Sequence, residues 1–97
     1  MEFKFNNDAR EKRIQDLVSL NLAKIQYNLS KGLKDTELYI DKEVASEVKE
    51  LIEKELPSDF GFCIVNRGVN QYTSKPVSYI SMTIGDDKYY KVRYYGN

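Results

Sequence analysis

Apolar positions in the first third of the chain recur at spacings of three and four, through Ile14, Leu17, Val18, Asn21 or Leu22, Ile25 and Leu29. Such spacing lines one side of an α-helix. The helix opens after Asn6-Asn7-Asp8, where Asn7 or Asp8 offers a short acceptor for the unpaired amides of the first turn, and Gly32 stops it. Leu20, Leu22 and Tyr27 widen the apolar surface beyond one stripe. That width predicts cover on more than one side, from the protein's own sheet and second helix or from a second copy of the chain, and with the small core of a 97-residue chain the expectation is a homo-oligomer, most simply a two-fold dimer. Arg10, Glu11, Arg13, Asp16 and Lys24 form the opposite, mixed-sign face, which reads as solvated.

After a linker from Leu33 to Thr36, the run Glu37-Leu38-Tyr39-Ile40 is too short for a helix and has the side chains of a strand. Asp41 is then read as the cap of a second helix with its apolar stripe at Val44, Val48, Leu51, Ile52 and Leu56. Glu50 and Lys54 are spaced for an ion pair on that helix, and Pro57 ends it because proline has no amide to donate and biases Leu56 away from helical geometry.

From Phe60 onward the period changes to two. Phe60, Phe62 and Ile64 point one way, and Cys63 and Val65 the other. The segment from Arg67 to Val77, with Gly68, Asn70, Ser74 and Pro76, reads as a long, mobile hairpin connection. Residues 78–84 alternate without a fault, with Ile80, Met82 and Ile84 toward a core and Tyr79, Ser81 and Thr83 away from it. Gly85-Asp86-Asp87-Lys88 is expected to turn the chain into a last strand from Tyr89 to Tyr95, and Phe3 to Phe5 offers an extra edge strand. The expectation is a single α+β domain over residues 1–97, in the order α-β-α-β-β-β. Both helices pack on one face of a small, mainly antiparallel sheet of about three to five strands.

This layout resembles that of small accessory proteins encoded by bacteriophages. The residues that carry the resemblance are Asn7-Asp8-Ala9-Arg10 opening a long helix, Glu37-Leu38-Tyr39-Ile40-Asp41 before a second one, then Phe60-Gly61-Phe62-Cys63-Ile64 and Tyr79-Ile80-Ser81-Met82. Heavy use of Lys, Asn, Tyr and Ile suits the AT-rich genomes of such phages and equally of low-GC bacteria. What the resemblance implies is a role in modulating a host or viral protein, with no site residues to transfer. The long loop from Arg67 to Val77 and the tyrosine-rich final segment depart from that layout.

Composition narrows the chemistry. The chain has no histidine, which removes the commonest general base, metal ligand and neutral-pH switch together. Cys63 is the one cysteine, with no base in view to activate it, and is read as a small buried hydrophobe. Asp86 and Asp87 suit a turn and lack the ligand spacing of a calcium loop. No catalytic residue, cofactor or metal is therefore expected, and the protein is read as non-enzymatic. The single cysteine and the absence of an apolar opening segment or a membrane-length apolar run point to a cytoplasmic protein, off the membrane.

Charge balances overall, with 15 basic and 15 acidic residues, so no global field marks a nucleic-acid-packaging protein. Locally the balance tilts. Residues 57–97 carry Arg67, Lys75, Lys88, Lys91 and Arg93 against Asp59, Asp86 and Asp87, and hold six of the eight tyrosines. Tyr79, Tyr89, Lys91, Arg93 and Tyr95, with Tyr72 on the preceding loop, are the candidate interaction surface, set out as a flat aromatic and basic platform. Three readings stay open. The platform binds a protein partner, a second copy included; its rings and cations hold single-stranded nucleic acid or a nucleotide ligand; or tyrosine is there simply as a good strand residue.

Overall fold

The computed structural model describes residues 2–64, 68–70 and 72–86. Its elements run α1 (Asn7–Ser30), β1 (Asp35–Asp41), α2 (Ala45–Glu55), β2 (Phe60–Ile64) and β3 (Tyr79–Asp86). This is the expected α+β class, two helices packed on a three-stranded antiparallel sheet in the order β1-β3-β2. The expected sixth element, Tyr89 to Tyr95, lies outside the described residues, as do the side chain of Cys63 and the whole of Val65 and Asp87.

Helix α1 starts one residue earlier than its Asn/Asp run suggested. Asn6 is the cap, its Oδ1 accepting the Ala9 amide at 2.9 Å. At the other end Lys31 caps the helix and Gly32 takes φ of +82°, the left-handed turn that glycine adopts without strain. The expected stripe is buried at Ile14, Val18, Asn21 and Ile25, with Leu17 and Leu22 packed at its margins. Asn21 holds its amide group on the Leu17 carbonyl at 2.8 Å, which lets a polar side chain sit in the stripe. Leu20 and Tyr27 point to solvent, and the Lys31 ammonium lies 5.4 Å from the Tyr27 ring centre.

Strand β1 is longer than expected and takes in Asp41, so Asp41 does not cap the second helix. A turn over residues 42–44 intervenes, α2 begins after Val44 without a side-chain cap, and the Asp41 carboxylate instead pairs with Arg13 of α1. The two residue roles look alike in sequence, since an aspartate suits both a strand end and a helix cap. On α2 the ion pair joins Lys49 to Glu53, rather than Glu50 to Lys54. Leu56 leaves helical geometry ahead of Pro57, as expected.

Between β2 and β3 the described residues 68–70 and 72–77 are tied together by hydrogen bonds. Val69 bridges Pro76, the Val77 amide donates to Gly68 at 2.9 Å, and the Asn70 amide donates to Lys75 at 2.8 Å. Asn70 Oδ1 accepts the amides of Tyr72 and Thr73, closing the tip. Gly85 and Asp86 do not turn; they finish β3, opposite Gly61 and Phe60. Residues 3–5 form no strand, because the chain runs directly into the Asn6 cap, leaving Phe3 and Phe5 exposed.

The inner sheet face and both helices make the core. Leu38, Ile40, Met82 and Ile84 meet Ile14, Val18 and Ile25 of α1 and Val48 and Ile52 of α2, all buried. The mixed-sign side of α1 is less solvated than its sequence suggests. Arg10 bonds Glu47 of α2 at 2.9 Å, Arg13 pairs with Asp41 and Glu43, and Lys24 reaches the Glu37 carbonyl of β1 at 2.7 Å.

Candidate interaction surface on the outer sheet face

Side chains alternate across a strand, so packing Leu38, Ile40, Met82 and Ile84 inward turns Glu37, Tyr39, Tyr79, Ser81 and Thr83 outward. The register places Tyr39 opposite Ser81 and Asp41 opposite Tyr79. Tyr39 and Tyr79 are therefore diagonal neighbours, close enough for their rings to meet. They do so edge to face, with centroids 5.7 Å apart and planes at 72°. Tyr39 is 56% exposed and Tyr79 37%. Ser81, a small side chain opposite the Tyr39 ring, is buried.

Lys24 extends from α1 to the edge of β1. Its ammonium donates to the Glu37 carbonyl and lies 5.9 Å from the Tyr39 ring centre, a weak cation–π contact. The Tyr39 hydroxyl donates to Glu37 Oε2 at 3.3 Å. The negative charge of Glu37 raises the pKa of that hydroxyl above the ordinary tyrosine value, with desolvation and the hydrogen bond adding to the effect. This aromatic pair is bordered by a carboxylate on one side and an ammonium on the other.

Of the candidate residues, Tyr79 stands at the centre of this surface. Tyr72 is 88% exposed at the tip of the bridging hairpin, separate from the pair. Tyr89, Lys91, Arg93 and Tyr95 lie outside the described residues. β3 is the central strand of the described sheet, with β1 along Tyr79–Gly85 and β2 along Met82–Asp86. The neighbours of Tyr79, Ser81 and Thr83 on β1 are thus Asp41, Tyr39 and Glu37. Tyr39 and Lys24 were missed. Alternation around Leu38 and Ile40 marks Tyr39 as outward, but only the strand order makes it a neighbour of Tyr79.

Among the described residues no group of three or more cysteines or carboxylates is placed to hold a metal ion, and no helix is long and apolar enough to cross a membrane. Comparison with protein-family models, with curated proteins and with solved structures finds no match to this chain.

Proposed function

We propose that the protein is a small, non-enzymatic binding factor that covers part of another protein's surface with the outer face of its sheet, acting on a host or viral partner as the phage resemblance implies. The observation that carries this reading is the solvent-facing Tyr39–Tyr79 pair. Tyrosines held on a rigid strand offer large amphipathic contact area at little entropic cost, which is why they concentrate in binding hot spots. The surrounding charge supports a protein over a nucleic acid. Glu37 shares this sheet face and accepts the Tyr39 hydroxyl, and a carboxylate beside the ring opposes a phosphate backbone.

The test is affinity capture from cells of the native host with the wild-type chain and with a Tyr39→Ala/Tyr79→Ala variant of matched thermal midpoint. A specific protein retained by the wild type and lost by the variant is the expected result. Retention of single-stranded oligonucleotides with a steep salt dependence would replace this reading with the nucleic-acid one.

A further inference from the structure

The two edges of the sheet are built differently. Lys42 donates its amide to Ser78, which continues the β1–β3 register and shows that even-numbered residues of β1 turn their backbone groups toward β3. Odd-numbered residues turn theirs outward, and there Lys24 occupies the Glu37 carbonyl. The side chains beside that edge include Asp35, Glu37 and Asp41. A lysine over the backbone and a row of carboxylates are the devices that keep an edge from pairing with another strand.

The edge of β2 has neither device. The same parity leaves the odd-numbered residues of β3 to bond Gly61 and Cys63, so the amide and carbonyl of Phe62 turn outward. No described element pairs with that side. Phe60 to Ile64 contains no charged residue. The core is also open here. Phe60 and Phe62 of β2 are only partly buried against it, whereas Leu38 and Ile40 of β1 are fully enclosed. Lys49, a cation of α2, lies 4.8 Å from the Phe62 ring centre and is paired with Glu53.

We infer that β2 is a self-association edge: a second copy adds its own β2 antiparallel to the first, joining two three-stranded sheets into one of six strands and covering Phe60 and Phe62. Charge selects a second copy as the occupant. A two-fold axis brings each strand against itself, so any charge on the edge meets its like. The uncharged β2 edge tolerates that arrangement, and the acidic β1 edge does not. This surface is separate from the Tyr39–Tyr79 pair, so the two proposals fail independently.

The test uses the full chain. Light scattering should give twice the chain mass of 11.3 kDa at high concentration. Amide exchange at Phe62 should be at least ~10-fold slower at ~500 µM than at ~5 µM, while the outward amides of Glu37 and Tyr39 stay fast at both. Phe62→Lys should shift the mass to the monomer. Should that variant fail to fold, the dilution measurement on the wild type decides alone. A monomer at ~500 µM overturns the inference. So does Phe62 protection that is independent of concentration, since the edge would then be occupied within one chain, and so does a dimer in which Phe62 exchanges fast.

Discussion

Along β1 and β3 successive residues serve opposite ends. Leu38, Ile40, Met82 and Ile84 are enclosed by two helices, while Tyr39 and Tyr79, at the opposite parity of the same strands, stand in solvent. The backbone conformation is shared; only the parity differs. The inner face therefore sets stability and the outer face is free to be selected for contact. A substitution at one parity should register in a denaturation curve, and at the other in a binding curve.

The sharpest way to break that division is Ile40→Ala. Ile40 is 0% exposed, near the end of β1, and truncating it leaves a cavity between the sheet and the helices. The expected loss is about 2–5 kcal/mol in urea denaturation, with an unchanged slope. A loss below ~1 kcal/mol would mean that the inner face is not close-packed. Next in size is the reverse experiment. Tyr39→Ala/Tyr79→Ala should weaken partner binding by more than ~1 kcal/mol per ring. Stability should fall by no more than about 1.5 kcal/mol, the scale of an aromatic pair contact. If the double variant unfolds, the pair belongs to the core and the outer face is ordinary sheet surface.

Thr36 refines the comparison, because it is a polar residue at inner parity. It is buried, and its hydroxyl accepts the Asn28 side-chain amide at 3.0 Å, tying the last turns of α1 to the start of β1. Thr36→Val keeps the shape and removes the acceptor. The expected cost is ~1 kcal/mol, from the Asn28 amide left without its partner. Asn28→Ala/Thr36→Val should recover part of it, since neither group is then stranded. No recovery would show that the bond is not the reason for the cost.

How much of this was legible in advance follows from the range of the interactions. Periodicity is local, so the stripes Ile14–Val18–Ile25 and Val48–Ile52 and the alternation of Ile80, Met82 and Ile84 could be read directly. Caps and ends were read less well. Asn6, Asn7 and Asp8 can all cap, and geometry chose Asn6. Asp41 was drawn into β1 and toward Arg13, a partner remote in sequence. The β2–β3 pairing follows from reading residues 67–77 as a hairpin, but the place of β1 was not legible, because its pattern is compatible with either neighbour. The candidate surface inherited that gap. Tyr79 was identified from its own strand, whereas its real companion Tyr39 depends on β1 and β3 lying side by side.

The smallest expected effect concerns neither face but the clamp between the helices above the inner one. Arg10 of α1 bonds Glu47 of α2 and also donates to the Glu43 carbonyl. The Glu47 carboxyl is held below the ordinary glutamate value, chiefly by the hydrogen bond from Arg10, then by a backbone hydrogen bond, against an opposing desolvation, with the Arg10 charge adding least. A proton therefore binds Glu47 more weakly in the folded chain than in the unfolded one. The clamp's contribution is complete above the ordinary glutamate pKa of about 4.3 and is lost as pH falls through the lowered folded value. Wild type and Glu47→Gln should thus differ in denaturation midpoint at neutral pH and converge in acid. Added salt should narrow the neutral-pH gap, because both side chains are partly exposed. A gap that persists unchanged into acid would assign the effect of the substitution to helix α2 itself and leave the two helices joined by apolar packing alone.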